Sequence, residues 1–301
     1  MAAEAEDLCA AGHDVVVIAP GRETCAAGIS PRVLRVNGGG LFGPPGVLAR
    51  VRANPLRARG ALAFGLQARR LLESRAPFDR VIAHWLIPCA WPIAVGITPR
   101  LEVVAHGSDV QLFCALPGPL RRHIIRSLTR ADVTVRCVSE SLRAALVAAT
   151  PPSLQALTRV EPSPIRVPPP LHSRDILRAR LGVPAGARLA VVVARLVPGK
   201  RVSNALDAIA HLPAVEVVVI GGGPLLAELR ARFPRVRFTG EVSRSQSLEW
   251  IAAANVLVSA SVLEGAPTVV REARALGVPV VACPAGDLRL WAESDPGLWL
   301  T

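Results

Sequence analysis

Tyrosine is absent from this chain of 301 residues, and aromatic residues make up only 4% of it. Single-stranded nucleic acid is usually bound by stacking on such side chains, so their scarcity argues against that class of partner. The chain has no Asp-x-Asp pair, and its six cysteines form no Cys-x-x-Cys pair and have no histidine cluster beside them. The sequence therefore offers no evident metal site, and scattered single cysteines are typical of reduced thiols in a cytosolic protein.

Long apolar runs and long basic runs are also missing. The longest apolar stretch, residues 81–97, contains His84, Pro88 and Pro92, which indicates a strand, a loop and a helix rather than a membrane span. The acidic beginning of the chain lacks the basic and then apolar order of a signal peptide. The net charge of +12 is spread along the chain, and it predicts attraction to anions without choosing among nucleotides, acidic lipids and nucleic acid.

Lysine is nearly absent as well, because Lys200 is the only lysine among 35 basic residues. An arginine presents a planar fork, whereas a lysine presents a compact ammonium on a flexible stem. A position that keeps lysine therefore indicates a need for a compact point charge, and phosphate binding is the usual such need. The alternative is a lysine that survives by chance on a solvated loop.

Strand-like apolar runs alternate with helical patterns along the chain, which predicts α/β domains with parallel sheets. Prolines interrupt the pattern between residues 151 and 170, and we place a linker near residues 161–172. The predicted domains are residues 1–165 and 166–301. We expect two doubly wound, Rossmann-like domains that face a ligand cleft between the carboxyl ends of their sheets.

The predicted elements of the first domain are strands at residues 15–18, 33–36, 80–83, 101–105 and 132–138, and helices at residues 56–75, 116–130 and 140–148. Those of the second domain are strands at residues 190–194, 215–220, 236–238, 256–260 and 279–283, and helices at residues 203–211, 225–233, 245–253 and 268–276. The chain itself is expected to begin inside a helix that ends near Gly12.

The most informative motif covers residues 261–273. Glu264 lies in a predicted strand-to-helix loop, Pro267 suits the first turn of the following helix, and Glu272 lies just over one turn further on. The free N–H groups at the helix start form an anion site, which the helix dipole strengthens. Two carboxylates on either side of such a site can hold sugar hydroxyls beside a phosphate. The alternative is a loop glutamate followed by a solvated helix glutamate.

The ordered set of motifs resembles the family 4 retaining glycosyltransferases of the GT-B fold. In the second half, the resemblance rests on Arg195-Leu196-x-x-x-Lys200, on Gly221-Gly222-Gly223-Pro224, on Glu241-Val242 and on the Glu264/Glu272 spacing. In the first half it rests on residues 83–88, on His106-Gly107-Ser108-Asp109 and on residues 137–142. The motifs follow one another in the family's order over roughly residues 7–300.

The resemblance implies a role for each motif. Arg195 and Lys200 would hold the donor diphosphate, Glu264 would bind hydroxyls of the donor sugar, and Glu272 would bind the ribose. The remaining implied donor-site residues are Glu241 and Val242 beside the nucleobase, Gly222 in the glycine turn, and the phosphate cradle of Gly265, Ala266, Pro267 and Thr268. His106 would face the donor sugar, and His84, Trp85 and Asp109 would lie on the acceptor side. The alternative for the histidines is a strand-end hydrogen bond, and for Trp85 it is core packing.

The implied reaction moves a sugar from a nucleoside diphosphate to an acceptor hydroxyl with retention at the anomeric carbon, and it needs no metal or other cofactor. The expected partners are a nucleotide sugar and a saccharide or lipid-linked acceptor, with peripheral contact at the cytoplasmic face of a membrane. Relative to the family pattern, the chain starts after the usual first strand and glycine-rich loop, and it ends early. One alternative is therefore a truncated homologue with impaired catalysis that keeps residual nucleotide-sugar binding or an interaction role. A separate alternative is a GT-B relative with epimerase or phosphorylase chemistry.

Overall fold

A computed structural model describes residues 2–21, 31–38, 42, 50, 54, 56, 59–129, 132–262 and 264–301. The chain divides into two compact units, Met1–Pro164 and Ile165–Thr301. Within the described residues, none of the helices combines the length and the apolar composition that a membrane crossing requires. Each unit is described separately below.

The described residues of the first unit form two parallel sheets. One sheet pairs β1 (Val16–Pro20) with β2 (Arg32–Val36), and the other has the order β3-β4-β5-β6. The strands of the second sheet are β3 (Val81–His84), β4 (Arg100–Ala105), β5 (Asp132–Cys137) and β6 (Thr158–Val160). The sequence predicted β1 to β5 close to these bounds, whereas it predicted neither β6 nor the division into two sheets.

Six regular α-helices are described in the first unit. They are α1 (Ala2–Ala10), α2 (Arg59–Glu73), α3 (Ser108–Ala115), α4 (Gly118–Thr129), α5 (Glu140–Ala148) and α6 (Pro152–Gln155). An irregular helical segment, Leu86–Ala94, follows β3. A small core joins these parts, since Phe64 and Ala68 of α2 pack with Val36 of β2 and with Ile93. The inner face of α2 thus holds the two-stranded sheet and the Leu86–Ala94 segment together.

The second unit is one parallel sheet of six strands in the order β12-β11-β10-β7-β8-β9. Its strands are β7 (Arg188–Val193), β8 (Val215–Ile220), β9 (Arg237–Gly240), β10 (Val256–Ser259), β11 (Val280–Ala282) and β12 (Leu298–Leu300). Its helices are α7 (Arg174–Leu181), α8 (Val202–Ile209), α9 (Leu226–Arg232), α10 (Arg244–Ala253), α11 (Thr268–Ala275) and α12 (Leu288–Ala292). This strand order is that of a Rossmann domain, with β7 and β10 side by side where the order reverses.

The local sequence explains most of these elements. Strand β7 is a continuous apolar run with four successive buried residues, as expected where helices cover both faces of a parallel sheet. Helix α10 begins with a capping box, in which Ser243 and Gln246 satisfy each other's backbone N–H groups. Helix α7 ends at Gly182, which adopts a left-handed conformation with φ of 67°. The sequence pattern did not predict α7, α12 or β12.

Candidate functional site

The carboxyl edge of the second unit's sheet carries the loops that hold most of the predicted site residues. Strands β7, β8, β9 and β10 run parallel, so the segments that follow them emerge at the same edge. Arg195 and Lys200 follow β7, the glycine turn follows β8, Glu241 follows β9, and Glu264 follows β10. In a doubly wound sheet, this edge at the switch point is where ligands bind.

The side chains of Lys200 and Glu264 form an ion pair between Nζ and Oε1 across the switch point. They come from the loops after β7 and β10, the two adjacent strands at which the order reverses. The Lys200 side chain is 21% exposed and that of Glu264 is 16% exposed, so both remain accessible from solvent. Arg195 lies exposed on the same loop as Lys200. The edge therefore offers two cations and one carboxylate at neighbouring positions.

The glycine turn after β8 lies against the loop that carries Arg195. The N–H group of Leu196 donates a hydrogen bond to the carbonyl of Gly222 at 2.8 Å. Gly221 has a φ of 134°, and a Cβ at this position would lie 2.0 Å from the carbonyl oxygen of Ala194. A Cβ at Gly222 would lie 2.7 Å from Cγ of Glu241. Only glycine allows these three segments to approach so closely.

Helix α11 begins directly after the Glu264 loop. Pro267 is its N-cap residue, and Thr268 is its first helical residue. The N–H groups of the first turn have no partner inside the helix, so they form an anion site with the positive end of the helix dipole. Gly265 and Ala266 precede this start and are half-buried, while Thr268 is exposed.

Glu272 lies in α11 and is only 8% exposed. Its Oε1 accepts hydrogen bonds from Nε of Arg244 at 3.1 Å and from Nη2 of Arg244 at 2.9 Å. The same Nη2 also donates to the carbonyl of Arg166 at 2.6 Å. Arg244 thus holds the carboxylate at one oxygen and ties it to the segment at the start of the unit.

Arg244 was not among the residues that the sequence analysis identified. The capping pattern from Ser243 to Gln246 marks the start of α10, and it could have placed Arg244 near Glu241. Nothing in the sequence indicated that Arg244 reaches a glutamate 28 positions further along. The pair depends on the packing of α10 beside α11, which the local pattern does not encode.

In the first unit, His84 and His106 lie together at the carboxyl ends of β3 and β4. Nδ1 of His84 lies 2.9 Å from Nε2 of His106, and the rings stack with centroids 5.2 Å apart. Nε2 of His84 lies 3.2 Å from a carboxylate oxygen of Glu4 in α1. Glu4 also pairs with Arg136 of β5. The predicted site histidines are therefore brought together, and Glu4 is an additional residue that the sequence did not indicate.

Burial and neighbouring charges shift the pKa values in this cluster. Burial is the main influence on His106, and together with the charge of His84 it lowers the pKa of His106 to about 4, although Asp109 opposes the shift. Burial alone would raise the pKa of Glu4, but the hydrogen bond from His84 and the charge of Arg136 outweigh it and lower the pKa to about 2. At neutral pH, His106 is therefore a neutral imidazole.

Asp109 and Trp85 both form hydrogen bonds with backbone groups of the first unit. Asp109 is fully buried, and its two carboxylate oxygens accept hydrogen bonds from the N–H groups of Leu86, His106 and Gly107 at 2.8 to 3.0 Å. This placement makes Asp109 a support for the loop of His106 rather than a contact for an acceptor. The Trp85 side chain is half-buried, and the backbone N–H of Trp85 donates a hydrogen bond to the backbone carbonyl of Val104 at 2.9 Å.

Side chains that could bind a metal ion do not cluster in the part of the chain that the structure describes. There, no three histidine, cysteine, aspartate or glutamate side chains come together as a possible metal site.

Comparison with known proteins shows what the chain is similar to. Residues 187–300, nearly all of the second unit, match the family model "Glycosyl transferases group 1". A glycosyltransferase assigned to teichuronic acid biosynthesis in Bacillus subtilis strain 168 is 30% identical over 222 residues, which cover 70% of this chain and 54% of that protein. The chain thus spans about half the length of this curated relative.

Two solved structures share the fold. Sucrose-phosphate synthase from Thermosynechococcus elongatus has a TM-score of 0.73 at 21% identity, and the match covers 98% of this chain and 77% of that one. The Anabaena protein HepE, solved in complex with UDP and glucose, has a TM-score of 0.64 at 21% identity, with coverage of 90% and 72%. At this identity the likeness shows the fold, which is the GT-B fold with two Rossmann-like domains. Over residues 187–300, the chain is therefore similar to the glycosyl transferases group 1.

Proposed function

We propose that the chain transfers a sugar from a nucleoside diphosphate to an acceptor hydroxyl, with retention of the anomeric configuration, as family 4 glycosyltransferases do. The observation that carries the proposal is the placement of Lys200 and Glu264 at the switch point between β7 and β10. A cation for a diphosphate and a carboxylate for sugar hydroxyls lie there in direct contact, which is what a nucleotide sugar requires at its reacting end.

The donor site in this proposal is built from the loops of the second unit. Arg195 and Lys200 bind the diphosphate, and the amides around Ala266 and Thr268 complete its cradle at the start of α11. Glu264 accepts hydrogen bonds from the donor sugar, and Glu272 accepts them from the ribose. The nucleobase edge lies beside Glu241 and Val242, and Gly222 lets the Glu241 side chain pack against the glycine turn.

The proposed reaction proceeds on one face of the sugar. The acceptor oxygen bonds to the anomeric carbon while the bond from that carbon to the diphosphate oxygen breaks, and the electron pair stays on the departing oxygen. The acceptor proton passes to a phosphate oxygen, so the products are a glycoside and a nucleoside diphosphate. Arg195, Lys200 and the α11 dipole stabilise the charge that develops on the leaving group, without a metal ion.

His106 contributes to this proposal as a neutral group. Its pKa of about 4 leaves the imidazole uncharged at neutral pH, so it can exchange hydrogen bonds with sugar hydroxyls without competing for the diphosphate. His84 and Glu4 hold the ring of His106 in place from one side. Trp85, next to His84, lies on the acceptor side.

The proposed acceptor is a saccharide or a lipid-linked saccharide. The relative assigned to teichuronic acid biosynthesis supports a polysaccharide or glycolipid product. We further propose peripheral contact with the cytoplasmic face of a membrane, because the net charge of +12 favours the anionic lipids of that leaflet.

Calorimetric titration with UDP, GDP and ADP tests the donor site. We expect one of the three to bind, and we expect Lys200→Ala to weaken its binding by about ten-fold or more, because a charge-assisted hydrogen bond to phosphate is lost. Lys200→Arg should also weaken binding if a compact ammonium is needed. Arg188→Ala is the matched control, since Arg188 is exposed at the opposite end of β7.

Two outcomes would contradict the proposal. Binding of none of the three nucleotides would refute the donor site, and equal effects of Lys200→Ala and Arg188→Ala would refute the role of Lys200. Retention is tested separately by proton NMR of the first-formed glycoside, whose anomeric coupling constant must match that of the donor.

A further inference from the structure

Helix α2 has an apolar surface on the side that faces away from the protein. Its inner side is buried through Phe64 and Ala68. On its outer side, Leu62 is 71% exposed and Leu66 is 59% exposed. Leu56, shortly before the helix, is 65% exposed. Single exposed leucines are common on protein surfaces, but two at i and i+4 on one helix form a continuous apolar strip.

Arginine side chains accompany this strip. Arg59 and Arg70 of α2 are exposed on the same outer side as Leu62 and Leu66, and Arg75 is exposed just beyond the helix. Residues 50–75 contain seven arginines and one acidic residue, Glu73, so this stretch carries +6 of the chain's net charge of +12. An apolar strip flanked by cations is the pattern of helices that lie in the interface of an anionic membrane.

Arg69 has a different position. It donates to Glu73 and to the carbonyls of Pro92, Ile93 and Val95, which anchors α2 to the Leu86–Ala94 segment. Together with the buried Phe64 and Ala68, these hydrogen bonds hold α2 on the folded unit, so its outer face is presented in a fixed orientation. Arg59, Arg70 and Arg75, in contrast, are exposed to solvent.

We propose that the outer face of α2, formed by Arg59, Leu62, Leu66 and Arg70, docks the protein on an anionic lipid surface. Leucine side chains enter the boundary between headgroups and acyl chains, and the guanidinium groups bind headgroup phosphates. A nucleic acid would use the arginines but leave the leucines in water, so the combination favours a lipid surface. The inference rests on the membrane contact proposed above and assigns a surface to it, and it does not depend on the donor site.

Co-sedimentation with vesicles tests this surface. We expect the protein to bind phosphatidylcholine vesicles that contain phosphatidylglycerol, to bind pure phosphatidylcholine vesicles much less, and to dissociate as salt is raised. Removal of two arginines in Arg59→Gln/Arg70→Gln should lower the partition coefficient by about twenty-five-fold, because each basic residue at a membrane surface contributes about five-fold. Leu62→Gln/Leu66→Gln should lower the partition coefficient several-fold, and it should weaken the vesicle binding that remains at high salt.

The chain offers matched controls. Arg122→Gln/Arg126→Gln removes the same charge from exposed i and i+4 positions of α4 in the same unit, and Leu290→Gln removes a half-exposed leucine of α12. Circular dichroism and nucleotide titration of every variant separate loss of docking from loss of folding or of the donor site.

Three results would overturn the proposal. Equal binding of the wild-type protein to neutral and anionic vesicles, or no binding to either, would refute anionic membrane contact. An equal loss in the α4 control and the α2 arginine variant would show that net charge acts without a specific surface. Binding to an acidic polypeptide but not to anionic vesicles would show that the partner is a protein.

Discussion

Arg244→Ala removes a side-chain partner of Glu272, a buried carboxylate, and it is the sharpest test of how the donor site is organised. Arg244 contacts one oxygen of Glu272 with two nitrogens, at 2.9 and 3.1 Å. If Glu272 binds the ribose, its second oxygen is the one available to the nucleotide. Arg244 then acts as a positioning residue, which fixes the carboxylate without touching the ligand.

The expected magnitudes follow from exposure. The Arg244 side chain is 55% exposed and that of Glu272 is 10% exposed, so solvent screens the pair from one side only. Hydrogen bonds to charged groups contribute about 1.5–3 kcal/mol, and this exposure reduces the loss of unfolding free energy to about 1 kcal/mol. Release of the carboxylate from its fixed orientation should weaken nucleotide binding by about ten-fold.

Calorimetry with the nucleotide that binds, and with its 2′,3′-dideoxy analogue, separates positioning from general stability. We expect Arg244→Ala to weaken binding of the natural nucleotide and to leave binding of the analogue nearly unchanged, because the analogue has no ribose hydroxyls for Glu272. Arg244→Lys should recover part of the affinity. Arg232→Ala is the matched control, since Arg232 pairs with Asp207 and is 53% exposed.

The reasoning is refuted if Arg244→Ala weakens both nucleotides equally, because the effect would then not pass through the ribose. It is also refuted if the variant binds the natural nucleotide as tightly as Arg232→Ala does. A double variant with Glu272→Gln should lose no more affinity than Glu272→Gln alone, since the two residues act on the same contact.

Two further predictions concern the first unit. Glu102 is buried in β4 and pairs with arginines that include the buried Arg136, so Glu102→Gln should lower the unfolding free energy in urea by about 3 kcal/mol; a loss below about 1 kcal/mol would show that the pairing contributes little. The pKa values of Glu4 (4.5 lowered to about 2) and His106 (6.5 lowered to about 4) mean that both favour the deprotonated form on folding. Stability should therefore fall as the pH decreases from 6.5 to 4 through His106, and from 4.5 to 2 through Glu4. In urea unfolding measured at a series of pH values, His106→Asn should remove the loss of stability between pH 6.5 and 4. An unchanged dependence of the urea midpoint on pH would contradict the lowered pKa of His106.

Elements with a strong local pattern were predicted well from the sequence. Strand β8 and helix α5 were predicted at the bounds that the structure shows, Val215–Ile220 and Glu140–Ala148. The first has four apolar residues in succession and a glycine turn after it, and the second has a serine cap in Ser139. Strand β12, in contrast, has three residues and pairs only with β11, so its formation depends on an existing sheet edge.

The sequence predicted which residue types form the candidate site and which segments carry them, but it did not predict which of these residues contact each other. The spacing of Glu264 and Glu272 and the isolated Lys200 predicted which segments would carry the candidate site, and that assignment stays a prediction. The pairing of Lys200 with Glu264 crosses 64 positions of sequence, and it exists because β7 and β10 are neighbours at the point where strand order reverses. Local periodicity predicts a strand but does not say which strand lies beside it.

The sequence by itself determined the fold class, the alternation of strands and helices, and the residues at the ends of strands, because apolar periodicity, glycine and proline act over a few residues. Only the tertiary structure decided that the first unit has two sheets, that Glu4 reaches His84, that Arg244 holds Glu272, and that Leu62 and Leu66 stay outside. These features depend on which elements pack against each other. Such contacts join residues far apart in the chain, and a local pattern therefore cannot specify them.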